Sequence, residues 1–145
     1  MTLADCTPEY VAWLNDEDTT RYLGTHEATL ASQRQWIADR LGNVRASLYV
    51  IEADDRMVGS LKLEWDGDRV VTLALMIGDP ASRGRGIGTQ AIRLGVAKAL
   101  ALWPEARQIA AGVHPANMAS IQAFEKAGFG RADWRPEQGW MRFSI

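Results

Sequence analysis

The sequence predicts a mixed α/β fold in which helices pack on a mostly antiparallel sheet. Its hydrophobic spacing is helical before residue 43, alternates as in strands from residue 47 to 77, and becomes helical again near residue 92. Turn residues separate the alternating runs at short intervals. The chain has 145 residues, of which 47% are hydrophobic and 23% are charged. This size and composition are typical of one globular domain, so we expect residues 1–145 to form a single unit.

Two helices are predicted in the N-terminal part of the chain. Thr7 followed by Pro8 is typical of an N-cap and a first helical turn, and that helix should end near Asn15. Thr29 is a cap for a second helix, which should run to about residue 41 and stop at Gly42. The apolar faces of these helices are expected to consist of Tyr10, Trp13 and Leu14, and of Leu30, Ile37 and Leu41.

Three strands should follow as an antiparallel meander. Residues 47–53 form an apolar run, residues 61–65 alternate, and residues 70–77 form a third strand. Asp54-Asp55 and Asp66-Gly67-Asp68 are turn signals between them. Only residues 1–6 precede the first helix, so an initial edge strand is expected to be short or missing, which leaves a sheet edge open for pairing in a homodimer.

The C-terminal half predicts two further helices and three further strands. A helix with a continuous apolar stripe should end before Pro104, and residues 108–113 read as a strand. A helix over residues 117–127 is stopped by Gly128. The stripe consists of Ile92, Val96, Ala99, Leu100 and Trp103, and the final hairpin should pair residues 129–134 with residues 140–145.

Composition excludes several classes of function. The net charge of −2 disfavours a general nucleic-acid partner. The sequence contains no stretch of about 18 apolar residues, so no membrane span is expected. The single Cys6 has no disulfide partner, which favours a reducing, cytoplasmic location. His26 and His114 have no third ligand at metal-binding spacing, so no metal site is expected.

The segment from Arg83 to Thr89 carries the first chemical signal. Its three glycines alternate with other residues between a predicted strand and a predicted helix, and two arginines add positive charge. Exposed backbone N–H groups at a helix N-terminus favour an anion such as pyrophosphate. A dinucleotide-binding G-x-G-x-x-G motif would require glycine where Thr89 stands, and no P-loop lysine follows. A flexible surface turn remains the alternative interpretation.

Together with a second motif, this segment resembles the GNAT superfamily of acyl-CoA-dependent N-acyltransferases. Residues 83–88 match its pyrophosphate signature [QR]-x-x-G-x-[GA]. Residues 117–129 match the pattern N-x-x-S-I-x-x-[aromatic]-x-K-x-G-F. Residues 13–16 and 20–23 are similar to the branch that acetylates ribosomal-protein N-termini and amino sugars. The resemblance implies a GNAT-like fold, with about six strands and helices on both faces of the sheet.

The resemblance also implies acetyl-CoA as co-substrate and an amine as acceptor. A backbone N–H at Met76 would polarise the thioester carbonyl as an oxyanion donor. The strand before the glycine loop (residues 83–89) would separate from the strand that ends at Val113 and admit the pantetheine arm. Asn117 would bond that arm, although a plain N-cap role is the alternative. The implied cofactor-binding residues are Leu75, Met76, Ile77, Arg83, Gly84, Arg85, Gly86, Ile87, Gly88, Thr89, Asn117 and Phe124.

The general acid and base are less well defined than the cofactor site. Phe124 stands where many relatives have a tyrosine that protonates the thiolate, so it should pack beside the sulfur or in the core. Glu64 is the first candidate base, with exposed surface charge as the alternative. Asp79 and His114 come next, and Glu52 has its own surface interpretation. Without a strong base, an acceptor of low pKa is favoured, such as a peptide N-terminus, an amino sugar or an amino acid.

Two functional alternatives follow. The acidic run Asp16-Glu17-Asp18, together with Glu27, would attract a cationic acceptor, or it is simply a solvated loop. The alternative to an active enzyme is a catalytically silent acyl-CoA-binding module that regulates a partner. Phe124 and the missing strand carboxylate favour that alternative.

Overall fold

A single six-stranded sheet organises the molecule, as seen in a computed structural model that describes residues 1–23 and 27–145. The strand order is β1-β2-β3-β4-β6-β5, and every neighbouring pair is antiparallel except β3 and β4. The prediction of a mixed, mostly antiparallel sheet is confirmed. The strands are β1 (Ala46–Ala53), β2 (Arg56–Gly67), β3 (Val70–Ile77), β4 (Gln108–Val113), β5 (Gly130–Ala132) and β6 (Gly139–Ser144).

Five α-helices are present among the described residues. Thr7 and Thr29 cap the first and third of them, because their hydroxyl oxygens accept hydrogen bonds from the backbone N–H groups of Tyr10 and Ser32. Both caps are as predicted. The helices are α1 (Pro8–Asn15), α2 (Glu17–Leu23), α3 (Leu30–Leu41), α4 (Ile87–Leu102) and α5 (Met118–Lys126).

Helices cover both faces of the sheet, as the sequence implied. On one face, α4 and α5 bury the larger core against the strands, with Leu63, Ile92 and Met141 fully enclosed. On the other face, α1 and α3 cover a smaller core that contains Tyr10, Trp13, Ile37, Leu48 and Met76. Apolar side chains thus stabilise both layers, and the sheet is fixed between them.

Three expectations for the local structure need correction. The acidic run at residues 16–18 is not a loop, because Glu17 and Asp18 form the first turn of α2. In α3, Leu30 and Leu41 are exposed, and the buried face consists of Gln33 and Ile37. Strand β2 continues through Gly67, so the following turn is made by Asp68 and Arg69, both with positive φ. The turn therefore lies at residues 68 and 69 instead of the predicted residues 66–68.

The N-terminal segment and the first turn behave as expected. Residues Leu3–Asp5 form a short 3₁₀ helix rather than a strand, so β1 is the edge of the sheet. Asp54 and Asp55 both have positive φ, the conformation of a two-residue hairpin turn. In the described part of the chain, no helix combines the length and the hydropathy that crossing a membrane requires. His26 lies outside the described residues.

The two parallel strands diverge at their carboxyl ends. Pairing between β3 and β4 is confined to Val70–Thr72 and Gln108–Ala110. Beyond Thr72, β3 continues for five residues paired only with β2, and β4 continues paired only with β6. A wedge-shaped gap therefore opens in the middle of the sheet. Its position agrees with the divergence that the sequence implied.

Candidate functional site

The gap between β3 and β4 continues into a cleft of about 540 Å³. Leu75, Met76 and Ile77 at the end of β3 form one wall, and α5 forms another. The glycine loop and the first turn of α4 close one end. Residues Asp18, Thr19 and Tyr22 of α2 complete the lining. The cleft therefore runs from the glycine loop along the end of β3 and beside α5, a shape that suits an extended ligand.

The glycine loop presents a helix N-terminus to this cleft. Gly86 is the N-cap of α4 and has φ 78°, and Gly84 has φ 72°. Left-handed backbone costs other residues roughly 1–2 kcal/mol, which explains glycine at both positions. Among the described residues, apart from the immediate chain neighbours and the backbone of α4 itself, no atom lies within 4 Å of a Cβ placed at Gly84, Gly86 or Gly88. The amides at the start of α4 are therefore uncovered and suited to bind an anion.

Asp79 holds the loop in this conformation. Its buried carboxylate accepts hydrogen bonds from the Ser82 hydroxyl at 2.6 Å and from the Arg56 guanidinium. The N–H groups of Gly78 and Asp79 both donate to the carbonyl of Val58 in β2. The Ser82 hydrogen bond, with the charge of Arg56, lowers the pKa of Asp79 below its ordinary value. Asp79 is thus engaged in supporting the loop and is a weak base.

The two loop arginines point in different directions. Arg83 lines the cleft, and its guanidinium donates to the carbonyl of Ile77 and to the hydroxyl of Thr19. Arg85 does not line the cleft, because its guanidinium pairs with Asp54 in the exposed β1–β2 turn at 3.3 Å. Placing Arg85 among the cofactor contacts is therefore not supported by its position.

The α5 residues also separate into two groups. Asn117 lines the cleft and caps α5, because its Oδ1 accepts a hydrogen bond from the N–H of Ser120 at 3.2 Å. Phe124 is 2% exposed and packs edge-on against Phe129, with ring centroids 5.0 Å apart. Of the two positions expected for Phe124, the structure shows the core. It does not line the cleft, so its role as a cofactor-binding residue stays a prediction without a contact in the cleft to support it.

Glu64 lies away from the cleft, on the α3 side of the sheet. Its carboxylate pairs with Arg40 at 3.2 Å and with Lys62 at 3.1 Å. Partial burial raises the pKa of Glu64, but the hydrogen bonds and charges of Lys62 and Arg40 outweigh that effect and lower it. A carboxylate that is stabilised in its ionised form is a poor base. Neither its position nor its charge environment supports the role of base.

His114 packs beside α2 at the end of β4. Its Nδ1 accepts a hydrogen bond from the N–H of Ala116 at 3.0 Å, and its ring lies 5.2 Å from that of Tyr22. The contact assigns His114 to the turn before α5. Glu52, in edge strand β1, borders a separate shallow groove and not the cleft.

The acidic run that includes Asp18 was expected to attract an acceptor, but the sequence did not predict that Thr19 and Tyr22 line the cleft as well. Asp18 and Tyr22 are four residues apart and Thr19 lies on the same side, so one helical face carries all three. The usable signal was Asp16, whose carboxylate accepts a hydrogen bond from the N–H of Asp18 at 3.1 Å in the manner of a helix cap.

No group of three or more metal-binding side chains is found among residues 1–23 and 27–145.

Sequence comparison identifies the family. The family profile described as an acetyltransferase (GNAT) domain matches residues 1–130. The chain belongs to the GNAT acetyltransferase family. Comparison with curated proteins finds no match.

Solved GNAT structures share the fold at low sequence identity. A ribosomal-protein-alanine N-acetyltransferase from Brucella melitensis has a TM-score of 0.82 at 21% identity, covering 100% of this chain and 97% of its own. An acetyltransferase from Thermus thermophilus has a TM-score of 0.80 at 21% identity, covering 100% and 94%. An aminoglycoside acetyltransferase in complex with coenzyme A has a TM-score of 0.79 at 22% identity, covering 99% and 91%. These similarities establish the GNAT fold over the whole chain.

Proposed function

We propose that this GNAT protein transfers an acetyl group from acetyl-CoA to a primary amine. The observation that carries the proposal is the continuity of the site: the uncovered amides of the glycine loop open into the gap between β3 and β4. The diphosphate would bind at Gly84, Gly86 and Gly88, where the structure leaves space, and the pantetheine arm would lie along β3. Solved relatives with the same fold have been described with coenzyme A or acetyl-CoA bound.

The transfer itself is a direct attack within a ternary complex. A neutral amine nitrogen bonds to the thioester carbonyl carbon, the carbon–sulfur bond breaks, and CoA leaves as a thiolate. The amine loses its proton to solvent. The backbone N–H of Met76, a residue that lines the cleft, would stabilise the negative charge on the carbonyl oxygen. Holding both reactants there would provide much of the acceleration.

The acceptor is proposed to be an amine of low pKa. Glu64, Asp79 and His114 are all occupied by other partners, so none is placed to remove a proton from the acceptor. Deprotonating a lysine-like amine with a pKa of about 10.4 costs about 4 kcal/mol near pH 7.4. Deprotonating an α-amino group, with a pKa of about 7.7–8.0, costs less than about 1 kcal/mol. Peptide N-termini and amino sugars satisfy this requirement.

The acidic residues before and within α2 offer less attraction to a cation than their sequence suggests. Asp16 caps the helix, and Asp18 pairs with Arg21 at 3.3 Å. Glu17 remains exposed. We therefore expect Glu17→Gln to raise KM for a cationic acceptor less than twofold, and a tenfold rise would restore the electrostatic role.

The test is CoA-thiol release from acetyl-CoA with a panel of amines and a no-amine control. The panel contains N-terminal peptides, amino sugars, aminoglycosides, amino acids, and N-terminally blocked peptides with one lysine. Release that requires a low-pKa amine, with a mass increase of one acetyl group on that amine, is the expected result. Preference for the blocked lysine peptide at neutral pH would refute the acceptor class.

The second candidate function is a silent acyl-CoA-binding module. It is favoured by Phe124, which has no proton to give and is enclosed in the core, and by the occupied candidate bases. Binding of acetyl-CoA in calorimetry, with no transfer to any amine of the panel, would identify this module. Failure of acetyl-CoA to bind at all would refute both functions.

A further inference from the structure

We infer that Arg83 is a positioning residue: it fixes α2 across the mouth of the gap between β3 and β4, so that binding of acetyl-CoA and the position of α2 are coupled. The binding half of this inference rests on the proposed function. The anchoring half rests on the structure alone and is tested separately.

The first anchor of α2 is the Arg83 guanidinium. It donates to the carbonyls of Ile77 at 3.0 Å and Gly78 at 3.4 Å, both at the end of β3. The same group reaches across to α2, where it donates to the Thr19 hydroxyl at 3.3 Å and lies 3.9 Å from the Asp18 carboxylate. One side chain thus ties the backbone that leads into the glycine loop to a helix 64 residues away.

The second anchor lies on the opposite side of the gap. Tyr22 is one turn after Thr19, and its ring packs against His114, which directly follows β4. Helix α2 is therefore attached near the end of β3 through Arg83 and near the end of β4 through Tyr22. It crosses the region where the two strands have parted. Asp18, Thr19 and Tyr22 line the cleft at this crossing.

Apart from these anchors, α2 packs mainly beside α1, which precedes it directly in the chain. Half of the six α2 residues whose burial is described are exposed, two are half-buried, and Thr19 is the one that is buried. A polar seven-residue helix has no stability of its own. Its position therefore depends on the anchors, and a ligand in the cleft that contacts α2 and the glycine loop together would stabilise both.

Arg85 provides a matched control in the same loop. It carries the same charge two residues further on, but it pairs with Asp54 and does not line the cleft. If the arginines served only as positive charge near a diphosphate, replacing either one would weaken binding to a similar and salt-dependent extent. If Arg83 acts through its fork of hydrogen bonds, Arg83→Lys should fail nearly as badly as Arg83→Ala, because lysine keeps the charge and loses the geometry.

The anchoring half is tested by hydrogen–deuterium exchange of α2 amides in the protein without ligand. Arg83→Lys and Thr19→Val should each speed exchange in α2 by about tenfold, while Arg85→Ala leaves it unchanged. The double variant Arg83→Lys/Thr19→Val should exchange no faster than the single variants, since both remove one shared contact. Thr19→Val preserves size, so the test does not depend on a variant that fails to fold. Unchanged α2 exchange in both single variants would overturn the inference.

The binding half is tested by calorimetry with acetyl-CoA. Arg83→Lys and Arg83→Ala should weaken binding roughly tenfold, and Arg85→Ala less than twofold. At saturating acetyl-CoA, the wild type and Arg85→Ala should gain protection in α2, and Arg83→Ala should not. Equal loss in Arg83→Ala and Arg85→Ala, with Arg83→Lys binding like the wild type, would overturn the coupling. If the wild type does not bind acetyl-CoA, the proposed function and the coupling fail, while the exchange of the ligand-free protein still decides the anchor.

Discussion

Gly59 in β2 controls the position of Met76, the residue proposed to polarise the thioester. A Cβ at Gly59 would lie 2.0 Å from the carbonyl oxygen of Met76, whereas ordinary contact begins near 3.4 Å. In Gly59→Ala the two strands must therefore separate locally by roughly 1.4 Å, and the displaced atom is backbone, which has no rotamer with which to avoid the clash. The N–H of Met76 belongs to the same residue and would move with it.

We expect Gly59→Ala to lower kcat about a hundredfold, because a displacement near 1 Å at a reacting centre has an effect of that order. Overpacking should also lower the free energy of unfolding by about 1–3 kcal/mol. Because Gly78 and Asp79 donate to the carbonyl of Val58, next to Gly59, the Kd for acetyl-CoA should rise as well, but by less than about tenfold.

The assay combines steady-state transfer with the best acceptor, calorimetry with acetyl-CoA and urea unfolding. Gly42→Ala is the matched control, since a Cβ there meets no atom within 4 Å and its φ is −96°. It should keep wild-type kcat and stability within about 0.5 kcal/mol. A folded Gly59→Ala protein with wild-type kcat would refute the role of Met76 in catalysis.

Three further predictions concern single side chains. Because the folded-state pKa of Asp79 is lowered, its contribution to stability is present above its ordinary pKa near 4 and is lost as pH falls through the folded value. The decrease in Tm from pH 6 to pH 3 should therefore be smaller in Asp79→Asn than in the wild type. An equal decrease in the two proteins would contradict the assignment. Glu64→Gln should keep kcat within about threefold with an unchanged pH–rate profile, whereas loss of a true base lowers the rate by about 10²–10⁴. Phe124→Tyr should lower the free energy of unfolding in a denaturant titration by about 1–3 kcal/mol without raising kcat, because the new hydroxyl enters the core beside Phe129; a tenfold gain in kcat would show that this position reaches the thiolate.

Features encoded by neighbouring residues could be predicted from the sequence. The caps at Thr7 and Thr29 depend on contacts within three residues, and the strand periods are local as well. The glycine loop was predicted because its chemistry is backbone chemistry at a helix start. All of the predicted cofactor residues except Arg85 and Phe124 line the cleft.

Features that depend on distant partners could not be predicted in this way. Helix α2 is polar and short, and its fixing contact comes from Arg83 in another part of the chain. The direction of Arg85 is set by Asp54, 31 residues earlier. Phe124 shares a helical face with Ile121, and only the packing of α5 on the sheet shows that this face is the core side. Glu64 was correctly placed on the face of β2 away from the larger core, but its neutralisation by Arg40 depends on how α3 docks.

The short parallel pairing of β3 and β4 also divides the sheet mechanically. The strands β1, β2 and β3 are joined by hairpins, and β4, β6 and β5 form a second antiparallel group, while the ladder between the groups spans only Val70–Thr72. Local hairpin pairings close at low entropic cost, whereas the parallel seam must wait for the crossover through α4. We therefore expect the seam to form late in folding and to be the weakest pairing in the sheet, because only three residue pairs join the two groups. A ligand that fills the cleft lies across the seam, so binding would also stabilise the sheet at its weakest pairing.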